Sequence, residues 1–129
     1  MMQNTEDIMI DNAPYWKWGV LIVIIAALQV ADVLTTQECL RLGGYEQNPF
    51  MMLVVEDIAA FWGVKIAVVA TSCLPPLIYR VLFRVATPAE ARLLQFGRGG
   101  VSALLVAVML WYMGVIGNNL WHLWLLGAF

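Results

Sequence analysis

The sequence predicts an all-α protein: an integral membrane three-helix bundle, N-terminus inside and C-terminus outside, with short interfacial helices in its loops. Three observations predict this class. Of 129 residues, 62% are hydrophobic and 12% charged, whereas a soluble domain is nearer about half apolar and about a quarter charged. Three apolar stretches, at about 16–41, 58–83 and 101–126, each reach the roughly 20 residues that cross a bilayer core. Basic residues are also unevenly placed: the second loop carries Arg80, Arg84, Arg92 and Arg98, the first only Arg41. Basic residues that flank spans stay cytoplasmic, which puts the second loop inside and the first outside. The length suits a single membrane domain over 1–129.

In chain order, residues 1–14 are polar and acidic (Glu6, Asp7, Asp11), broken by Ile8-Met9-Ile10, and Asn12 and Pro14 offer a helix start. The first apolar run lacks the basic n-region and small-residue cleavage site of a signal peptide, so it reads as a retained span. Trp16 and Trp18, with Tyr15 and Lys17, form an expected interface anchor of amphipathic rings and a snorkelling amine. Span 1 is uninterruptedly apolar from Gly19 to Leu28 and ends at Gly43-Gly44, where a left-handed cap is expected. Asn48-Pro49 starts a short helical piece closed by Glu56-Asp57. In span 2 Pro75-Pro76 should produce a kink. Thr87-Pro88-Ala89-Glu90 has capping-box spacing and should open a short interfacial helix that stops at Gly97-Arg98-Gly99-Gly100. Span 3 then follows, with Trp121 and Trp124 as anchors at its far end.

The informative residues are polar groups inside apolar runs. Asp32 lies 9 residues before Arg41, about 13 Å below the outer end of span 1 at 1.5 Å per residue. Lys65 lies 7 residues after Ile58, about 11 Å below the outer end of span 2. An unpaired charge at such depth costs roughly 3 kcal/mol or more, so the two should face inward and form an ion pair. Gln29, Asp32 and Thr36 fall at i, i+3 and i+7 on one helix face with Thr35 beside them, and Lys65 shares a face with Ser72. Asn118, Asn119 and His122 sit near the outer end of span 3, and Glu46 and Asn48 in the outer loop. All point to one polar hub: Asp32, Thr36, Glu46, Asn48 and Lys65, extended by Gln29, Thr35, Asn118, Asn119 and His122. Two readings of it stay open. Either hydrogen bonds and an ion pair fix helix register, with Glu46 and Asn48 capping helix ends, or the same groups hold an ion or small polar ligand.

Other chemistry finds no support in the pattern. The net charge of −2 gives no basic footprint for nucleic acid. Cys39, Cys73 and the single His122 match no metal spacing, and a Cys39–Cys73 disulfide is not expected. There is no Ser-His-Asp set, HExxH or phosphate loop, so neither an enzyme nor a cofactor is expected. Seven methionines and six tryptophans read as packing and lipid-facing groups.

The run ADVLTTQECLRLGGYEQNPFMMLVVEDIAAFWGVK resembles the signature of the domain-of-unknown-function 5658 family: an Asp, a Thr four residues on, a Gly, Glu-x-Asn-Pro, then a Lys in the next span. Asp32, Thr36, Gly44, Glu46, Asn48, Pro49 and Lys65 occupy those places, and the resemblance extends over about residues 20–120, including Tyr112 and Asn119. It implies a small prokaryotic membrane protein, placed in the cytoplasmic (inner) membrane, and carries no activity. The leading expectation is a structural or accessory subunit that packs against a larger membrane complex or forms a homo-oligomer in the lipid bilayer. The alternative is an ion- or small-polar-solute-handling protein that uses the hub.

Overall fold

A computed structural model of the chain describes residues 14–46 and 48–128. The acidic arm, with Glu6, Asp7, Asp11, Asn12 and the apolar Ile8-Met9-Ile10, lies outside the described residues, as does Gln47. All regular structure among the described residues is helical: α1 (Tyr15–Arg41), α2 (Pro49–Met52), α3 (Ile58–Val85) and α4 (Pro88–Leu125). Helices α1, α3 and α4 are each long and apolar enough to cross a membrane. They pack pairwise; the pairs Trp18–Ser102 and Thr35–Asn119 make α1 and α4 parallel, and Asp32–Lys65 with Trp18–Tyr79 make α3 antiparallel to both.

The buried residues of α1 explain the packing. Ile25, Gln29, Asp32, Thr36 and Cys39 recur at alternating spacings of four and three, and Trp18 lies one heptad before Ile25. That is the 3.5-residue seam of side-by-side helices. Phe61, Lys65, Ser72 and Tyr79 of α3 follow the same period. At one end of the seam lies an apolar cluster of Trp18, Ile25, Tyr79 and Leu105. At the other, the seam positions are polar: Gln29, Asp32 and Thr36 on α1 and Lys65 on α3, with Asp32 and Lys65 paired.

Two bonds set the α1–α4 register. Trp18 Nε1 donates to Ser102 Oγ at 2.8 Å, and 17 residues further along both helices Asn119 Nδ2 donates to Thr35 Oγ1 at 3.1 Å. The same offset is thus held at two points about 25 Å apart.

Helix ends follow from local chemistry. Helix α1 stops where Gly43 takes φ +88°, with Gly43 N–H bonded to Leu40 O and Gly44 N–H to Cys39 O. This is the Schellman arrangement, in which the last carbonyls find donors in the turn itself. Helix α4 ends identically around Gly127 at φ +77°, with Gly127 N–H on Trp124 O and Ala128 N–H on Leu123 O. Asn48 caps α2 and Asp57 caps α3, the latter accepting from Ala59 N–H and Ala60 N–H.

The sequence expectation departs from the structure in the second loop. No separate interfacial helix forms there. The Thr87–Glu90 capping box starts α4 directly, and the helix continues through Gly97-Arg98-Gly99-Gly100 to Leu125. Each glycine weakens a helix by about 1 kcal/mol against alanine, but it keeps its N–H, so the hydrogen-bond ladder survives. Ser102 Oγ, bonded back to Arg98 O at 3.1 Å, spans this stretch. Helix α3 runs through Pro75 and Pro76, where the sequence places a kink and not a break. Only the first loop keeps a short helix, α2.

Gly44 is constrained by space rather than dihedral angle. A Cβ there would lie 2.8 Å from Cys39 O, the acceptor of its own N–H, and 3.3 Å from Leu126 at the end of α4. Gly44→Ala is therefore expected to cost about 1–3 kcal/mol by overpacking. Gly63→Ala, whose added Cβ meets nothing within 4 Å, should be neutral or stabilising. Unfolding midpoints of the two variants in matched detergent check this.

Candidate functional site

The seam's polar half is a hydrogen-bonded hub built from three helices. Lys65 of α3 pairs with Asp32 Oδ2 of α1, both side chains nearly inaccessible. Asp32 Oδ1 accepts from Thr36 Oγ1 at 3.3 Å and from Asn119 Nδ2 of α4 at 3.1 Å. The same Asn119 amide lies 3.1 Å from Thr35 Oγ1 and from Thr36 Oγ1. The depths counted from the helix ends therefore match, and Asp32 and Lys65 meet.

The structure adds aromatic partners to Lys65. Its Nζ lies 5.2 Å from the centre of the Phe61 ring and 5.6 Å from that of Tyr112. A ring face attracts a cation, and more strongly where water is scarce. Phe61 precedes Lys65 by one helical turn, so its place beside the amine follows from i, i+4 geometry. Sequence reading did not single it out, because aromatic residues are common in spans.

Above this floor lies a cavity of about 1150 Å³ at the α2 end of the molecule. Its lining includes Asp32, Thr36 and Lys65 below, Asn118, Asn119 and His122 along α4, and Glu46 and Asn48 from the connection. Glu46 and Asn48 also serve the local turn: Asn48 N–H donates to Glu46 Oε1 at 2.8 Å and Phe50 N–H to Asn48 Oδ1 at 3.0 Å. They share the cavity with the hub rather than bonding to it. The volume exceeds the range of about 300–1,000 Å³ that small-molecule sites occupy, so a small ligand would fill only part of it.

Gln29 lies one turn deeper than Asp32. It is 2% exposed, and neither Nε2 nor Oε1 reaches hydrogen-bond geometry with a protein group, although the Tyr112 side chain approaches it. It borders a second, smaller cavity of about 380 Å³ between α1 and α3, lined by Ala26, Trp62, Lys65 and Ile66 among others. Below Gln29 the seam closes on Ile25, Leu105, Trp18 and Tyr79, all buried.

One anchor residue is placed differently from the expectation. Trp18 is 1% exposed, packed edge-on against Tyr15 and Tyr79 at ring distances of 5.4 and 5.2 Å. The seam position of Trp18 outweighs the interfacial preference of its ring, and Ser102 satisfies its indole N–H. Trp16 is 72% exposed, with Lys17 over its ring, and Trp121 and Trp124 stack on each other at the surface. Cys39 and Cys73 are both free thiols.

The family described as a domain of unknown function (DUF5658) matches residues 23–127. No curated protein and no solved structure matches the chain.

Proposed function

The chain belongs to the DUF5658 family, and from that premise, which carries no activity, we propose that it is a membrane-embedded binding protein. It takes a small polar ligand or head group into a pocket in the outer half of its helices. The observation that supports this most is the 1150 Å³ cavity standing on the Asp32–Lys65–Asn119 hub. The arginine distribution supports the α2 end as the outer end. The seam below Gln29 is filled by Trp18, Ile25, Tyr79 and Leu105, which favours a closed-bottomed pocket over a conducting path.

Gly114 gives a test that leaves the hub untouched. It lines the cavity, and a Cβ on it meets nothing within 4 Å. Gly114→Leu should fill the pocket while folding normally, since leucine is a better helix former than glycine by up to about 1 kcal/mol. Native mass spectrometry of the purified chain should show a retained small molecule or lipid in the wild type and its loss in Gly114→Leu. Retention of the same adduct by a normally folded Gly114→Leu variant would refute the pocket.

The accessory-subunit reading is supported by a different observation: α4 buries only Ala91, Leu105 and Leu123 of its 38 residues. Its remaining faces suit a larger membrane complex or a second copy of the chain as well as they suit lipid. Purification in mild detergent tests this reading. A co-purifying membrane partner or a stable homo-oligomer is expected from it, and a monomer without partner contradicts it.

A further inference from the structure

The ligand chemistry of this pocket follows from which of its polar atoms are already used, an inference that rests on the pocket reading above. Both Asp32 oxygens are engaged, Oδ2 by Lys65 and Oδ1 by Asn119 and Thr36. A lysine ammonium carries three donors and no acceptor. Among the described residues one Lys65 donor has an oxygen partner, and the rest of the head group faces the Phe61 and Tyr112 rings and the cavity. The floor therefore offers donors and no free carboxylate.

The mouth has the opposite character. Glu46 lines the cavity, one of its oxygens accepting from Asn48 N–H. The ion pairs among the described residues are Arg41–Glu38 and Lys65–Asp32, so Glu46 has no cationic partner there. Asp32 and Lys65 cancel, which leaves the lining with a single excess negative charge at Glu46 when His122 is neutral. Between floor and mouth the walls are apolar, with Phe50, Met51, Val64, Leu110 and Val115.

We infer that the cavity takes a zwitterionic, amine-bearing group, with an acceptor oxygen on the Lys65 ammonium and the ligand's own ammonium beside Glu46. An ammonium outward and an ester or acid oxygen inward, held apart by an apolar stretch, is the chemistry shared by a zwitterionic phospholipid head group and a free ω-amino acid.

The test uses the full chain in nanodiscs of equal phosphatidylethanolamine and phosphatidylglycerol, with retained lipids counted by native mass spectrometry. In parallel, 8-aminooctanoate is titrated into the detergent-solubilised chain by calorimetry. Glu46→Gln keeps the oxygen that Asn48 N–H needs and removes only the charge. A lipid source predicts that phosphatidylethanolamine is enriched over phosphatidylglycerol in the wild type by about fivefold, the worth of one partly exposed charge pair. The ratio should fall to parity in Glu46→Gln and reverse in Glu46→Lys. A free source predicts that 8-aminooctanoate binds and that Glu46→Gln weakens it by a similar factor. Retention of lipid without head-group preference, and without 8-aminooctanoate binding, overturns the zwitterion assignment and leaves the pocket standing. An unchanged preference in both Glu46 variants overturns it as well. Absence of any adduct in wild type and Gly114→Leu alike, with no 8-aminooctanoate binding, overturns both inferences.

Discussion

Lys65→Met is expected to destabilise the protein by about 3–5 kcal/mol, the cost of leaving a buried charge without its partner. Asp32 would keep the hydrogen bonds from Thr36 and Asn119 but lose the ammonium that neutralises it. The double variant Asp32→Asn/Lys65→Met should recover most of that loss. An asparagine at 32 still accepts from Asn119 and Thr36, and a methionine at 65 still fills the space between the Phe61 and Tyr112 rings. Buried ion pairs replaced together by neutral groups of similar volume are often no less stable. Exchanging the two charges is a poorer rescue, because it sets a carboxylate against two ring faces and an ammonium against the donors of Asn119 and Thr36. Thermal unfolding of the three variants measures this. A single Lys65→Met as stable as wild type would contradict a buried, paired Asp32.

The second large effect is at Trp18. Trp18→Ala should cost about 3–5 kcal/mol, since it empties a site enclosed by Tyr15, Ile25, Tyr79 and Leu105. Trp18→Phe keeps most of the ring packing but loses the bond to Ser102 Oγ, a loss of about 0.5–1.5 kcal/mol. Trp16→Ala, at an exposed position two residues earlier, should change the midpoint little. The ordering Trp18→Ala, Trp18→Phe, Trp16→Ala in decreasing damage separates a seam residue from an interface anchor. Equal effects at 16 and 18 would return Trp18 to the interface.

Much of this arrangement is legible in the sequence because membrane burial makes charge expensive. The depths of Asp32 and Lys65, counted from the helix ends, bring them together, and the i, i+3, i+7 spacing of Gln29, Asp32 and Thr36 gives the shared face. Gly43 as the left-handed end of α1 and Asn48 as the cap of α2 also follow from local rules. What escaped depends on packing between distant segments. The family resemblance includes Asn119 and not Asn118, but residue spacing alone does not separate them, and it is Asn119 that faces α1 to reach Asp32, Thr35 and Thr36. The α1–α4 register that decides between them rests on Trp18 and Ser102, 84 residues apart. The glycines at 97, 99 and 100 suggest a break, but glycine lowers helix stability without removing a donor, and the neighbouring turns carry the helix through. Phe61 is an ordinary span residue until the amine is placed between it and Tyr112.

The most direct test of a pocket open at the outer end above a charged floor is the accessibility of position 118 to a membrane-impermeant maleimide. Asn118 lines the cavity without a bond to the hub, and Leu105 is buried in the apolar cluster beneath it. In a Cys39→Ser/Cys73→Ser background, Asn118→Cys in intact cells should label from the outside and Leu105→Cys should not. Labelling of Asn118→Cys only after the inner face is exposed, or no faster than Leu105→Cys, would contradict the account.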